Sequence, residues 1–457
     1  MIETTTSLPS FPLGDVCRTT SGGTPSRKRA DYFEGDIPWV KSGELTDGLV
    51  SEVSEFITEE AVANSSAKLF PVGTLLIAMY GATVGKLGVL AKPAATNQAV
   101  CAIFPPPELD SKFLFWFLRF KRSYLIDQAV GGAQPNISQS ILRELMVPVP
   151  PIEVQREAVA EIEKQFSRLD EAVANLQRVK ANLKRYKASV LKAAVEGRLV
   201  ETEASIAQRE GRSYETGEQL LHRILDKRQV TWAGKRKYKE PVKPELESLP
   251  ELSEGWAWVS PDQMSAGEPY SLAIGPFGSS LKVSDYKTEG IPLVFVRNIR
   301  SGIFGAENTA YVSVDKAAEL SAHAVDAGDI LITKMGDPPG DVCRYPANCP
   351  PAVITADCIK LRLTKFDVDP SFIEYAIASR VVQDQILSIT KGVAQLKVNL
   401  ANFSSIALPL PPFAEQIRIV AEVDRHLSIV REVEAEVDTN LQQAQALRQA
   451  TLAKAFT

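Results

Sequence analysis

Pro148-Val-Pro-Pro151 leads into Ile-Glu-Val-Gln-Arg156, and the same punctuation returns far downstream as Pro409-Leu-Pro-Pro412, at an offset of 261. Proline opens a helix well and breaks one from inside, so each cluster predicts a hinge into a helix that follows. Downstream of the first cluster, Ile162, Leu169, Leu176, Leu183 and Val190 fall seven residues apart, with Phe166 and Val173 at the intermediate position. That is a heptad seam. Adding 261 gives Val423, Val430, Val437, Ala444 and Thr451, so the second helix keeps the register of the first. Two such helices on one chain are natural partners about a pseudo-twofold axis, antiparallel, with a globular domain at each end. The alternative is that each helix packs on its own domain.

Upstream of each proline cluster the repeat continues. Asp31-Tyr32, Ile37-Pro38 and Val40 recur as Asp285-Tyr286, Ile291-Pro292 and Val294, an offset of 254. Gly73-Thr-Leu-Leu-Ile77 recurs as Gly328-Asp-Ile-Leu-Ile332, and Gly81 and Gly85 as Gly336 and Gly340, at 255. Ala133-Gln134 recurs as Ala394-Gln395 at 261, so small loop insertions account for the drift. Leu75 to Met79 and Ile330 to Thr333 read as buried strands ending at glycine-flanked turns. The expected fold is α+β: two α/β globular domains separated by two long antiparallel coiled-coil helices, with an internal pseudo-twofold repeat. The expected limits are 1–150 and 251–410 for the globular domains, 151–200 and 411–457 for the helices, and 201–250 for a connector. A short amphipathic helix, Gly217 to Leu225, is expected inside the connector, its Leu220, Leu221, Ile224 and Leu225 packing on the long helices.

With 457 residues the chain is about three typical domains long, and 45% hydrophobic with 23% charged residues is ordinary globular composition. No stretch approaches the roughly 20 apolar residues that span a bilayer, and the N-terminus has no signal-peptide pattern, so a cytoplasmic chain without a membrane partner is expected. A net charge of −5 argues against a protein that coats nucleic acid through a wholly basic surface, while leaving room for local patches. Five cysteines at scattered spacings predict free thiols, and the separations among Cys343, Cys349 and Cys358 match no zinc site.

The motifs that resemble chemistry do not hold together. Asp337-Pro-Pro339 lacks the aromatic residue that an amino-methyltransferase carries next, and the repeat puts it at a loop tip in place of Ala82-Thr-Val84. Gly81-Ala-Thr-Val-Gly-Lys86 is one residue short of a phosphate-binding loop and has Leu87 where Ser or Thr is required. His222, His323 and His426 are far apart and accompany no recognisable nucleophile. No enzymatic role follows. Two related domains on a helical spacer suit a reader of two separated half-sites, which lie about 34 to 36 Å apart or at multiples of that on one face of B-DNA. A helix of more than 40 residues spans roughly 60 Å.

This layout resembles the type I restriction-modification specificity subunits over essentially the whole chain. The carriers are Ile37-Pro-Trp-Val-Lys-Ser-Gly43, Gly73-Thr-Leu-Leu-Ile77, Thr96-Asn-Gln98, Val147-Pro-Val-Pro-Pro-Ile-Glu-Val-Gln-Arg156 and Leu191-Lys-Ala-Ala-Val-Glu-Gly-Arg-Leu199. The second copy adds Leu249-Pro-Glu-Leu-Ser-Glu-Gly-Trp-Ala-Trp258, Leu410-Pro-Pro-Phe-Ala-Glu-Gln416 and Leu447-Arg-Gln-Ala-Thr-Leu-Ala-Lys-Ala-Phe456. The resemblance implies a non-catalytic DNA-recognition subunit whose globular domains each read half of a bipartite double-stranded DNA target. It implies two methyltransferase partners docked on the helices and two restriction subunits. S-adenosylmethionine, ATP and Mg would sit on those partners, with no cofactor on this chain. Asn97-Gln98 becomes Ala356-Asp357 in the second copy, which departs from the repeat. The competing reading is a coiled-coil scaffold with protein-binding ends.

For DNA contact, Arg and Lys suit guanine edges and phosphates, and Asn and Gln suit adenine. On loops flanking the expected strands this selects Arg27, Lys28, Arg29, Lys41, Lys86, Gln134 and Asn136 in the first domain. In the second it selects Lys282, Arg297, Asn298, Arg300, Lys334, Lys391, Gln395 and Lys397.

Overall fold

The computed structural model describes residues 9–129, 136–232, 237–247, 249–300, 302–307, 309–365, 368–392 and 396–456. It falls into two compact units, residues 1–178 with 437–457 and residues 179–436. Six helices carry the account: α1 (Ser111–Phe120), α2 (Ile152–Val195), α3 (Glu203–Glu210), α4 (Gly217–Val230), α5 (Pro370–Ala378) and α6 (Phe413–Phe456). No described helix is long and apolar enough to cross a membrane.

In the first unit a five-stranded sheet runs in the order Arg18–Ser21, Val100–Phe104, Leu75–Ala78, Leu87–Leu90, Gly48–Val50. A four-stranded sheet packs beside it, in the order Phe56–Ile57, Ile37–Val40, Ala94–Thr96, Leu69–Phe70. Successive side chains of a strand point to opposite faces, and here both faces are used. Leu75, Ile77, Cys101 and Ile103 enter a core with Phe113, Leu114 and Phe117 of α1. Their neighbours Leu76, Ala78, Val100 and Ala102 enter a second core with Val40 and Phe70 of the other sheet. A strand buried on both faces has to be apolar at every position, which is why Leu75–Ala78 shows no alternation.

The second unit repeats the arrangement. Leu272–Ile274, Cys358–Leu361, Ile330–Thr333 and Val342–Arg344 form one sheet. Ile330, Ile332, Ile359 and Leu361 face the helices, including Phe372 and Ile373 of α5, while Leu331 and Cys358 face Val294 and Ile354 of the second sheet. A parallel pair inside largely antiparallel sheets also recurs: Trp39 and Val40 against Ala95 and Thr96, then Leu293 and Val294 against Val353 and Ile354. In each unit a two-stranded ribbon, Ser10–Pro12 with Met146–Pro148 or Ala257–Val259 with Leu408–Leu410, ends at the prolines that open α2 or α6.

Within each unit the two long helices run antiparallel. In the first, Ile162 and Phe166 cluster with Leu452, and Asp170 pairs with Arg448, so one index rises as the other falls. In the second, the Tyr186 hydroxyl lies 2.7 Å from His426 Nδ1, and Val190 shares a core with Val423 and Leu427. Val423, Val430, Val437 and Ala444 are buried as the heptad reading requires, whereas Thr451 is half-buried and Leu452 takes its place. A helix of 3.6 residues per turn drifts about 20° per heptad, so four heptads move the stripe by nearly one residue. Phe456 closes that end among Phe113, Phe117 and Phe120, with ring centroids 5.2 to 5.7 Å away.

The stretch after α2 is more structured than a connector. Thr202 caps α3 by accepting from Ser205 N, and Gly211 ends it at φ 65°. The sequence reading missed this helix, although Thr202 and Gly211 mark it. The expected helix over Gly217–Leu225 extends to Val230, and Leu220 and Ile224 join the core of the second unit with Val190 and Leu191; Leu225 is half-buried.

All five cysteines are free thiols. Burial pushes Cys343 and Cys358 up to about 12 and Cys17 and Cys101 up to about 11, against an ordinary 9.0. A thiol that keeps its proton in the fold but loses it on unfolding stabilises fully below pH 9, and that contribution disappears as pH rises toward 12. Buried Lys360, pushed down to about 8 from 10.5, acts in the opposite direction, as one group against four. Urea denaturation is therefore expected to show stability falling from pH 8.5 to about 10.5. Cys343→Val should flatten that fall.

Candidate nucleic-acid interface

The second unit gathers several of the predicted residues around one open cleft of about 370 Å³, lined by Phe295, Val296, Arg297, Arg300, Met335, Thr355 and Asp357. It lies where Ile291–Val294 and Ile330–Thr333 end and their following loops meet. Arg297 stacks its guanidinium 4.0 Å from the Phe295 ring, and Arg300 is exposed. Lys334 follows directly, its Nζ donating to Ala356 O at 3.2 Å and its backbone N–H donating to Asp357 O.

Beside the cleft, Met335 pairs with Lys397, and Lys397 exchanges both backbone hydrogen bonds with Lys391 at 3.0 Å each. Residues so paired stand directly opposite on one face with Cβ atoms about 5 Å apart, where like charges repel. Both lysines are exposed. Opposed like charges are mildly destabilising, and an anion lying across them would relieve the repulsion.

The first unit carries the same edge with different chemistry. Tyr80 pairs with Asn136 as Met335 pairs with Lys397, so Asn136 and Lys397 are equivalent positions. Lys41 leaves the end of its strand like Phe295, and the Thr83 hydroxyl donates to Ser42 O at 2.7 Å, tying the loop that ends at Lys86 to the residue after Lys41. Lys86 is half-buried. Arg122, bonded to Gly85 O at 2.8 Å and to Asp47, holds the base of that loop.

The basic run Arg27, Lys28, Arg29 is largely neutralised in place. Arg27 and Lys41 both reach Glu55, at 2.7 and 2.8 Å, and the Lys41 ammonium, with Arg27 behind it, holds the Glu55 carboxyl below the usual range. Arg29 pairs with Asp31 and Glu60. Lys28 is exposed. Lys282 is exposed and sits at the N-cap of the turn Val283–Asp285, away from the lining of the cleft. Gln134 and Gln395 lie outside the described residues.

One predicted contact is corrected. Asn298 is 1% exposed; its Oδ1 accepts from Phe295 N at 2.8 Å and its Nδ2 donates to Gly305 O and Glu307 O. It shapes the Val296–Asn298 turn and has no edge left for a base. Glu44 does the same work in the first unit, accepting from Lys41 N at 2.8 Å.

Two repeated positions outside the residues chosen for DNA contact hold the framework behind the site. Gly22 approaches the strand ending at Thr96 so closely that a Cβ would lie 2.1 Å from Thr96 Oγ1, and Gly275 approaches Thr355 with a Cβ 2.0 Å from its carbonyl oxygen. Gln155 and Gln416 are fully buried at the starts of the long helices. Their recurrence at the repeat offset was legible; their partners were not.

Among known proteins, the family profile described as the type I restriction modification DNA specificity domain matches residues 9–185 and 298–440. The type I restriction enzyme MjaIX specificity subunit of Methanocaldococcus jannaschii is 32% identical over 164 residues, covering 35% of this chain and 38% of that protein. The MjaVIII specificity subunit of the same organism is 19% identical over 433 residues, 93% of this chain and 88% of that one. A solved chain from a study of complex assembly and conformational transition in the type I R-M system shares the fold, with a TM-score of 0.66 at 19% identity, covering 100% of this chain and 99% of that one.

Proposed function

We propose that this chain, which belongs to the type I restriction modification DNA specificity family, reads a two-part double-stranded DNA target, each globular domain taking one half. The observation that carries this reading is the repeated edge: Lys41, Tyr80 and Asn136 in one unit stand where Phe295, Met335 and Lys397 stand in the other. The same scaffold with different side chains is what an asymmetric target requires. Direct readout would come from Asn136 and the Lys86 loop in the first unit and from Arg297 and Arg300 in the second, because these groups match base edges. Lys391 and Lys397 would clamp a phosphate.

In this reading the long helices set the gap between half-sites and dock two methyltransferase subunits, with two restriction subunits completing the complex in the cytoplasm. S-adenosylmethionine, ATP and Mg would be held by those partners, and this chain would have no catalytic role of its own. The decisive experiment is sequencing of native DNA for methyladenine in cells with and without the gene. Loss of one split motif, two short blocks around a fixed gap, supports the reading. Unchanged methylation beside an active methyltransferase would sink it in favour of a coiled-coil scaffold.

Replacing both Lys391 and Lys397 by alanine, in the chain assembled with its methyltransferase, is expected to weaken binding to all duplexes alike. The slope of log affinity against log salt should fall by about 1, for the one phosphate that the lysine pair no longer neutralises. A change in the methylated motif instead would mean that these lysines read bases.

A further inference from the structure

The two units differ at one surface that the repeat makes equivalent. The ribbon registers pair Phe11 with Val147 and Val259 with Leu408, and the 261 offset relates Val147 to Leu408. The equivalent pairs are therefore Phe11 and Val259, Val16 and Met264, Val149 and Leu410, Val154 and Glu415, Ala158 and Ile419. In the second unit every member of this set is fully buried. In the first, Phe11 is 48% and Val154 47% exposed, and Val16, Val149 and Ala158 are half-buried.

What buries the set in the second unit is the helix pair α3 and α4 together with Trp256, whose indole N–H donates to Glu415 at 3.0 Å. Leu220 and Ile224 of α4 share a core with Val259, Met264, Leu410 and Ile419. Gly217 opens α4 with its N–H on Gly255 O, so close that a Cβ would lie 2.2 Å from Leu410 O. Glu203 N of α3 donates to Glu415 at 2.9 Å, and the Glu203 carboxylate pairs with Arg418 at 2.8 Å. In the first unit, Val154 replaces Glu415 and exposed Glu157 replaces Arg418.

We propose that the face made by Phe11, Val16, Val149, Val154 and Ala158 seats an amphipathic helix of a separate protein, with a basic side chain set against Glu157. An apolar face of this kind on a folded chain marks a binding surface, and helix-in-groove recognition uses leucine or isoleucine four residues apart, as Leu220 and Ile224 are. The charge reversal at Glu157 means that the occupant differs in sign from α3 at that point. The inference stands on the repeat and is independent of whether the domains read DNA.

The test uses labelled peptides carrying residues 201–231, unaltered or with Glu203→Arg, titrated against the full chain by fluorescence anisotropy. The Glu203→Arg peptide is expected to bind about tenfold more tightly than the unaltered one, because it removes a like-charge contact with Glu157. Val154→Glu in the chain should weaken that binding by a similar factor. Glu157→Arg should invert the preference between the peptides. Both substitutions lie at exposed helix positions, and an unchanged thermal transition would verify folding. Binding of neither peptide, or binding indifferent to Val154→Glu and Glu157→Arg, overturns the proposal. So does a dimer in sedimentation velocity that Val154→Glu dissolves, since the occupant is then a second copy. A peptide that binds only after removal of residues 1–8 would make that segment the occupant, with the same consequence.

Discussion

Gln416→Leu is expected to destabilise the second unit by about 2–4 kcal/mol, although it exchanges one side chain for another of similar size and creates no cavity. Gln416 Oε1 accepts from Asp369 N at 2.9 Å, and its Nε2 donates to Pro411 O at 3.0 Å. Asp369 is the residue that caps α5, accepting from Ser371 N and Phe372 N. One amide thus ties the first turn of the spacer helix to the first turn of a domain helix. Leucine leaves the half-buried N–H of Asp369 and the buried C=O of Pro411 without partners, at about 1–3 kcal/mol for a buried group. Urea denaturation should show the loss, and hydrogen exchange should accelerate across α5. Gln155 makes the corresponding bonds in the first unit, to Asp110 N at 2.8 Å and to Glu108 O and Pro150 O, so Gln155→Leu should act alike there. Exposed Gln177→Leu should stay within about 0.5 kcal/mol. If Gln416→Leu proved as mild as Gln177→Leu, the coupling of spacer and domain would not run through this side chain.

Gly22→Ala should be at least as damaging. The added Cβ would meet Thr96 Oγ1 at 2.1 Å and Thr96 O at 2.2 Å, both far inside contact distance, and Thr96 is itself buried in a strand. Backbone cannot yield as a side-chain end can, so the strand pairing with Ile37–Val40 has to shift. Overpacking of this kind costs about 3 kcal/mol or more. The expected result is a first unit that unfolds at lower urea while the second is unchanged, with weakened binding to any DNA half-site that the first unit reads. Gly275→Ala, whose Cβ would lie 2.0 Å from Thr355 O, should mirror it in the second unit. Gly48→Ala makes a control, because a Cβ there meets nothing within 4 Å. Equal effects of Gly22→Ala and Gly48→Ala would show that close approach at Thr96 is not what holds the sheets together.

The candidate DNA edge was only partly legible. Residue type and loop position selected Arg297, Arg300, Lys391 and Lys397, and the fold leaves all four exposed, because a cationic group beside a strand end is a local property. The same criterion accepted Asn298, which the fold turns inward to satisfy three backbone groups, and Arg29, which Asp31 and Glu60 neutralise. Orientation and partners come from residues distant in the chain, and no spacing rule encodes them.

The sequence by itself determined the duplication, the proline hinges and the heptad stripe of α6, since repetition and periodicity are carried by residue order alone; on α2 only Ile162, Phe166 and Val190 of the stripe are buried, and Leu169, Leu176 and Leu183 are half-buried. Tertiary structure decided which half of each pattern is used. The strand Leu75–Ala78 is apolar throughout because two different cores claim its two faces. The stripe on α6 slips from Thr451 to Leu452 because helical turns do not divide evenly into heptads. Equivalent faces at Val154 and Glu415 are open in one unit and closed in the other because α3 and α4, which occur between the two copies, and Trp256 cover only the second.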